Sequence, residues 1–136
     1  MPEFVYAVTK FFAYSLWCWL GLRMSAPAYA TLQRSLKYGA LRWLIGLGFG
    51  IAAGIALGSV SRESVTRLYF SVYAPLRVAE WLIMTILMSR GRSMASALRS
   101  PGVWLWIVGG IAVSFASDLA SPEGMAGRFC VGRCLC

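Results

Sequence analysis

Apolar positions along this chain come in four long runs, and in none of them do apolar and polar residues alternate. The first covers 4–22, FVYAVTKFFAYSLWCWLGL, and is closed by Arg23 and then Pro27. The second covers 40–60 and is interrupted only by Arg42 near its start. The third, 68–88, carries Pro75, Arg77 and Glu80; the fourth, 103–119, is the shortest. A bilayer-spanning helix needs about 20 predominantly apolar residues, within a range of about 17–25. All four runs fall in that range, the fourth at its lower edge. Membrane strands would alternate apolar and polar residues over about 10 positions, which these runs do not. The pattern predicts an all-α integral membrane protein, a four-transmembrane-helix bundle with short loops. The whole of 1–136 reads as one membrane domain that ends in a cysteine-containing tail at 120–136.

Composition supports the same class. Hydrophobic residues make up 59% of the chain and charged residues 13%, with mean hydropathy +0.67. A soluble domain carries about 25% charged residues, and a chain this short has a large surface to cover. There is no histidine, which removes His-ligated haem and zinc and every nucleophile–histidine pair. The five acidic residues are Glu3, Glu63, Glu80, Asp118 and Glu123. Their spacing sets up neither a carboxylate metal site nor an acid–base pair on one helix. No glycine-rich phosphate loop follows a strand pattern. The expectation is a non-enzymatic protein without cofactor or metal.

The net charge of +8 does not point to nucleic acid. The basic residues are spread between apolar runs, and the aromatic residues lie inside the runs and not among the arginines. Arg23, Arg34, Lys37 and Arg42 flank the first connection, and Arg90, Arg92 and Arg99 the third, seven in all. The opposite face receives five: Lys10, Arg62, Arg67, Arg128 and Arg133. By the positive-inside tendency the multi-pass chain has its first and third connections in the cytoplasm and both termini on the extracytoplasmic side. Ala28-Tyr29-Ala30 has the small-x-small form of a signal-peptide cleavage site. Arg23 lies on the wrong side of the apolar stretch for that reading, so the first run is expected to be a span.

The strongest motif is in the second run, where Gly46, Gly50, Gly54 and Gly58 recur every four residues. Residues i and i+4 share a helix face, so these glycines form a groove that lets another helix backbone approach closely. Gly48, Ala52 and Ala56 broaden the small-residue surface. The groove serves either the chain's own bundle or an interface with a second subunit, identical or different.

Charges inside the runs are the second signal. A lone charge near a helix centre costs about 2.5–3.5 kcal/mol on an insertion scale. Arg77 and Glu80, three residues apart, share a face and partly neutralise each other. Pro75 removes a backbone donor and is a candidate kink. Three roles compete for Arg77 and Glu80: a structural pair, an interfacial anchor, or a polar pathway. The anchor role requires the span to begin only near Pro75, which would put Trp81 in the interfacial aromatic belt. Lys10 lies two turns into its run and is expected to snorkel outward; pairings of Asp118 with Lys10 or with Arg77 stay open.

Cys18 reads as a small apolar side chain within a span. Cys130, Cys134 and Cys136 are one ligand short of a zinc site without histidine, so a disulfide or free thiol is expected there. Trp17 and Trp19 beside Arg23, and Trp104 with Trp106, read as interfacial belts. The sequence thus favours a small multi-pass accessory or structural subunit that packs on partner helices through its glycine stripe, with the bilayer and other membrane subunits as partners. The alternative is a small homo-oligomeric channel or transporter with Arg77, Glu80 and Asp118 along a polar path. An enzyme acting on lipid through a lone Glu80 or Lys10 is the third reading.

Overall fold

A computed structural model describes residues 2–57, 65–89 and 93–121, with side chains placed for 4–56, 70–89, 93 and 95–121. The order is α1 (Pro2–Ser25), a 3-10 turn (Pro27–Tyr29), α2 (Leu32–Leu57), α3 (Val65–Met88), a short α4 (Met94–Ala97) and α5 (Pro101–Leu119). No strand occurs among the described residues. Gly58, Cys130, Cys134 and Cys136, and with them the expected disulfide or thiol, lie outside the described residues.

Local sequence accounts for most helix ends. Pro101 occupies the first turn of α5 after an extended Ser100, where a missing N–H costs nothing and the fixed φ suits the helix. Pro27 opens the 3-10 turn in the same way. Thr31 Oγ1 accepts the N–H of Arg34 at 3.4 Å, so α2 starts at Leu32, eight residues before the apolar run expected at 40. The first two turns are amphipathic: Arg34 and Lys37 are exposed while Ser35 and Gly39 are buried. The first connection is correspondingly short.

Four long helices pack antiparallel in the cyclic order α1, α2, α3, α5. Tyr38 on α2 donates to Leu87 O on α3 at 3.4 Å, which sets the start of one beside the end of the other. Trp81 on α3 donates to Ser114 Oγ on α5 at 3.2 Å. The α1–α5 contact is closed by reciprocal hydrogen bonds. Trp17 Nε1 donates to Trp106 O at 3.0 Å and Trp106 Nε1 donates to Trp17 O at 3.0 Å. These two tryptophans are therefore not free lipid-facing anchors, as the belt reading had them. An indole N–H in an apolar interior needs an acceptor, and here each helix supplies the other's. Trp19, stacked under Arg23, and exposed Trp104 keep belt-like positions.

Among the described residues, three helices are long and apolar enough to cross a membrane: Leu32–Ala56, Phe70–Met88 and Pro101–Leu119. The first helix, expected as a fourth, is not among them, because Tyr6, Thr9, Lys10, Tyr14, Ser15 and its tryptophans dilute its apolar residues. Pro75 does not end α3, which runs unbroken from Val65 to Met88 with Pro75 exposed. The break near Pro75 that the interfacial-anchor reading of Arg77 supposed does not occur, and Arg77 is buried within the bundle.

Four glycines outside the predicted stripe mark the closest approaches. A Cβ built on Gly39 would lie 2.1 Å from Ser15 Oγ and 2.7 Å from Ser15 Cα, so α1 and α2 touch backbone to side chain there. Gly21 and Gly109 make room for Trp106 and Trp17, with Cβ clashes of 2.4 and 2.3 Å, and Gly110 makes room for Trp81 at 2.5 Å. Gly48 instead faces open space. We expect Gly39→Ala to lower the thermal midpoint in detergent, at a cost of about 1–3 kcal/mol for overpacking. Gly48→Ala is the matched control and is expected to leave it unchanged or raise it. Equal midpoints for the two variants would show that α1 and α2 do not meet at Gly39.

Candidate functional site

Each long helix contributes one buried stripe with four-residue spacing, and the stripes meet on the bundle axis. On α1 the stripe is Tyr6, Lys10, Tyr14, Cys18 and Leu22; on α5 it is Gly110, Ser114 and Asp118. On α3 it is Tyr73, Arg77 and Trp81, with Glu80 beside them, and on α2 it is Arg42 and Gly50 with the half-buried Gly46 between them. The polar members of these stripes form one connected chain of charge.

Lys10 pairs with Asp118 Oδ1, and Asp118 Oδ2 accepts from Arg77 Nη2 at 2.8 Å. Arg77 Nη1 donates to Glu80 Oε2 at 2.9 Å, and the same oxygen accepts from Arg42 Nη2 at 2.6 Å. Five ionisable side chains from four helices are thus linked end to end. Their exposures are 0% for Arg42, 1% for Arg77 and Glu80, 5% for Asp118 and 6% for Lys10. Neutral groups extend the chain: Tyr6 donates to Asp118 Oδ1 at 3.0 Å and accepts from Lys10 at 2.7 Å. Ser114 Oγ accepts from Arg42 Nη2 and from Trp81 Nε1, both at 3.2 Å, while donating to Gly110 O.

The middle of the bundle is an aromatic cage around Arg42. Its guanidinium carbon lies 4.6 Å from the Tyr14 ring centroid and 5.0 Å from that of Trp81. Such contacts strengthen when they are desolvated. Trp81 then meets Trp106 edge to face at 5.0 Å between centroids. Trp106 lines a cavity of about 550 Å³ at the end of the bundle where α1 and α3 finish and α5 starts. Ser25, Thr85, Ser89 and Ser100 put hydroxyls on that cavity, and Met24 and Met88 put apolar surface on it. From one end to the other the axis therefore carries a cavity, two packed indoles, a cationic centre, and a carboxylate shared by Lys10 and Arg77.

Several sequence expectations meet the structure here. The Arg77–Glu80 pair forms, and Asp118 takes both of the partners left open for it. Lys10 does not snorkel; its ammonium is held inside by Tyr6 and Asp118. Arg42, read as a topology signal, is the most buried charge among the described residues. It leaves one side of the positive-inside count as Lys10 leaves the other, so the margin stands. Trp81 is fully buried beneath Arg42 and has no place in a headgroup belt. Gly46 faces the ion cluster, 3.0 Å from Arg42 Nη1 and 3.7 Å from Arg77 Nη1 measured from a built Cβ. Gly50 is buried in the chain's own bundle and Gly54 is half-buried. Cys18 is a buried free thiol.

Sequence reasoning missed Arg42, Tyr6, Tyr14 and Ser114 as members of the cluster. The available signal was the four-residue spacing of polar side chains within apolar runs, read on every helix and not only on the glycines. Among the described residues, no three His, Cys, Asp or Glu side chains come together as a metal site would require. No protein-family model matches the chain, and neither a curated protein nor a solved structure shows a significant similarity to it.

Removing one partner of a buried ion pair costs about 3–5 kcal/mol, because the other charge is left uncompensated. We expect Asp118→Asn to lose stability in that range in detergent–SDS unfolding, since it leaves Lys10 without a carboxylate and Arg77 with Glu80 alone. Lys10→Met is expected to cost less, because Asp118 keeps Arg77. Equal losses would mean that the Arg77–Asp118 contact contributes nothing.

Proposed function

We propose that this chain is a four-span membrane protein, with α1 as the fourth crossing helix, and that it is a small transport unit for an ion or proton. What supports the fourth span is length and surface. At 24 residues and about 1.5 Å per residue, α1 is long enough for a hydrocarbon core of about 30 Å. Its outward positions are apolar, with Phe4, Val5, Phe12 and Leu16 all strongly exposed. Its Lys10 and Tyr14 face the bundle interior, where a neighbouring helix and not lipid receives them.

The observation that carries the transport reading is the unbroken chain Lys10–Asp118–Arg77–Glu80–Arg42 through the bundle interior. Ionisable groups inside membrane helices are costly, and they mark ion pathways and proton relays where they face a bundle interior. Within the linked chain Asp118 and Glu80 are the groups that can take up and release a proton, while the guanidiniums of Arg77 and Arg42 stay charged and hold them in place. At the opposite end Trp106, which lines the cavity, packs on Trp81, and Trp81 packs on Arg42. The accessory-subunit reading has less support, since it needs a glycine stripe free to meet another helix. Gly46 and Gly50 are turned into the chain's own interior.

The test is flux in proteoliposomes under a potassium–valinomycin potential, followed with an internal pH dye and an internal chloride indicator. The expected result is flux above empty vesicles. Glu80→Gln is expected to lower it at least roughly tenfold, which corresponds to about 1.4 kcal/mol on the barrier. Leu105→Ala, on the outward apolar face, is expected to leave it unchanged. Flux equal to empty vesicles from folded protein overturns the transport reading. Larger subunits co-purifying after gentle extraction would then favour the accessory role.

A further inference from the structure

The cavity of about 550 Å³ at the end of the bundle takes no part in the ion chain. Its volume lies within the range of about 300–1,000 Å³ typical of small-molecule sites. Its walls are graded with depth. Thr85, Met88 and Trp106 form a buried floor, while Ser25, Tyr29, Ser96 and Ser100 are exposed around the rim. Two spanning segments meet at this level, Phe70–Met88 with its end and Pro101–Leu119 with its start. The floor is thus inside those spans, and Ser96 and Ser100 lie beyond their ends. A membrane places the boundary between acyl chains and headgroups at that depth.

Among the described residues, the charge at this end has one sign. Arg23 is in the last turn of α1, Arg34 and Lys37 are in the first turns of α2, and Arg99 precedes α5; all four are exposed. The guanidinium carbon of Arg34 lies 4.8 Å from the ring centroid of Tyr29, on the cavity rim. A ring attracts the charge but offers no lone pair, so the N–H donors of Arg34 are not spent on it. Arg23 and Arg99 adjoin Met24 and Ser100, which also line the cavity. Glu80 and Asp118, the carboxylates among the described side chains, are both held in the ion cluster.

We infer that the cavity binds an anionic membrane phospholipid, with its phosphate among the rim arginines and one acyl chain on the floor. Each other ligand class meets part of the site and not the rest. A cation would face Arg34 with no carboxylate to offset it. A free inorganic anion would gain from the arginines but leave the apolar surface of Met88 and Trp106 uncovered. A neutral lipid would cover that surface and leave the guanidinium without a partner. Basic pockets between transmembrane helices hold anionic headgroups, and the guanidinium fork matches a phosphate. The lining comes from α1, α3 and α5 together, so a bound lipid stabilises the folded bundle. The inference is independent of ion passage: a chain that conducts nothing keeps the site.

The experiment compares thermal midpoints of the full chain in a neutral detergent with added phosphatidylglycerol, phosphatidylcholine of the same acyl chains, or inorganic phosphate. Phosphatidylglycerol is expected to give a saturable rise, on the order of 5 °C, that the other two do not. Arg34→Gln is expected to raise the half-saturating lipid concentration roughly fivefold. Gly102→Leu fills the cavity without removing a charge, since a Cβ there stands 3.6 Å from both Met24 Cε and Ser100 Oγ, in ordinary contact. It is expected to abolish the rise, as is Ala97→Trp at another lining position; either decides alone if the other does not fold. Ala95→Trp, exposed on the same short helix and outside the cavity lining, is expected to retain it.

No difference between phosphatidylglycerol and phosphatidylcholine in the wild type overturns the inference. So does a rise that survives in a folded cavity-filling variant, which would place the lipid on the outer surface. An equal rise in inorganic phosphate overturns the lipid assignment, because the acyl chain would then contribute nothing.

Discussion

Five charged side chains in the interior of a small apolar bundle are the constraint on which the rest of this structure depends. Each alone would cost several kcal/mol to hold in a low-dielectric interior, more than most single contacts in a small protein return. They persist because no charge stands alone: Asp118 is shared by Lys10 and Arg77, and Glu80 by Arg77 and Arg42. Sharing has a geometric consequence. Lys10 is on α1, Arg42 on α2, Arg77 and Glu80 on α3, and Asp118 on α5, so the network closes only when all four long helices are in register. A shift of one helix by a single turn strands at least one charge. The cluster therefore acts as a key for the antiparallel order as well as a candidate path.

Accommodating that cluster explains where the chain places its small residues. A guanidinium and an indole are both wide, and helices that carry them inward separate unless the facing positions lack side chains. Gly46 faces Arg42 and Arg77, Gly110 faces Trp81, and Gly21 and Gly109 face Trp106 and Trp17. Gly39 against Ser15 is a close helix–helix approach of the sort a small-residue groove suggests. The glycines of α2 are thus the continuation of the Arg42 face. They read as a packing motif in sequence because the arginine that begins the series had been assigned to the membrane surface.

The apolar runs showed the class and the helices, and the structure extends them by a few residues at most ends. The exception is α2, whose first two turns are amphipathic and carry too many polar residues to be seen in a hydropathy pattern. The Arg77–Glu80 pair was legible because it lies within one helix at i and i+3. Arg42, Lys10 and the tryptophans were misplaced for a common reason. Arginine, lysine and tryptophan each suit an interface as well as a paired interior, and their neighbours in sequence do not distinguish the two.

What the sequence determined by itself was therefore one-dimensional: four helices, their apolar surfaces, the absence of histidine chemistry, and an uncomfortable excess of charge within apolar runs. Those follow from local composition, which sets the transfer energy of each segment independently of its neighbours. The tertiary structure alone decided which way each helix turns, and so whether a charge meets lipid, water or an opposite charge. That depends on residues 38 to 112 positions apart, as in Arg42–Glu80 and Tyr6–Asp118. A buried charge is tolerable only through its partner, and the partner is a property of the fold.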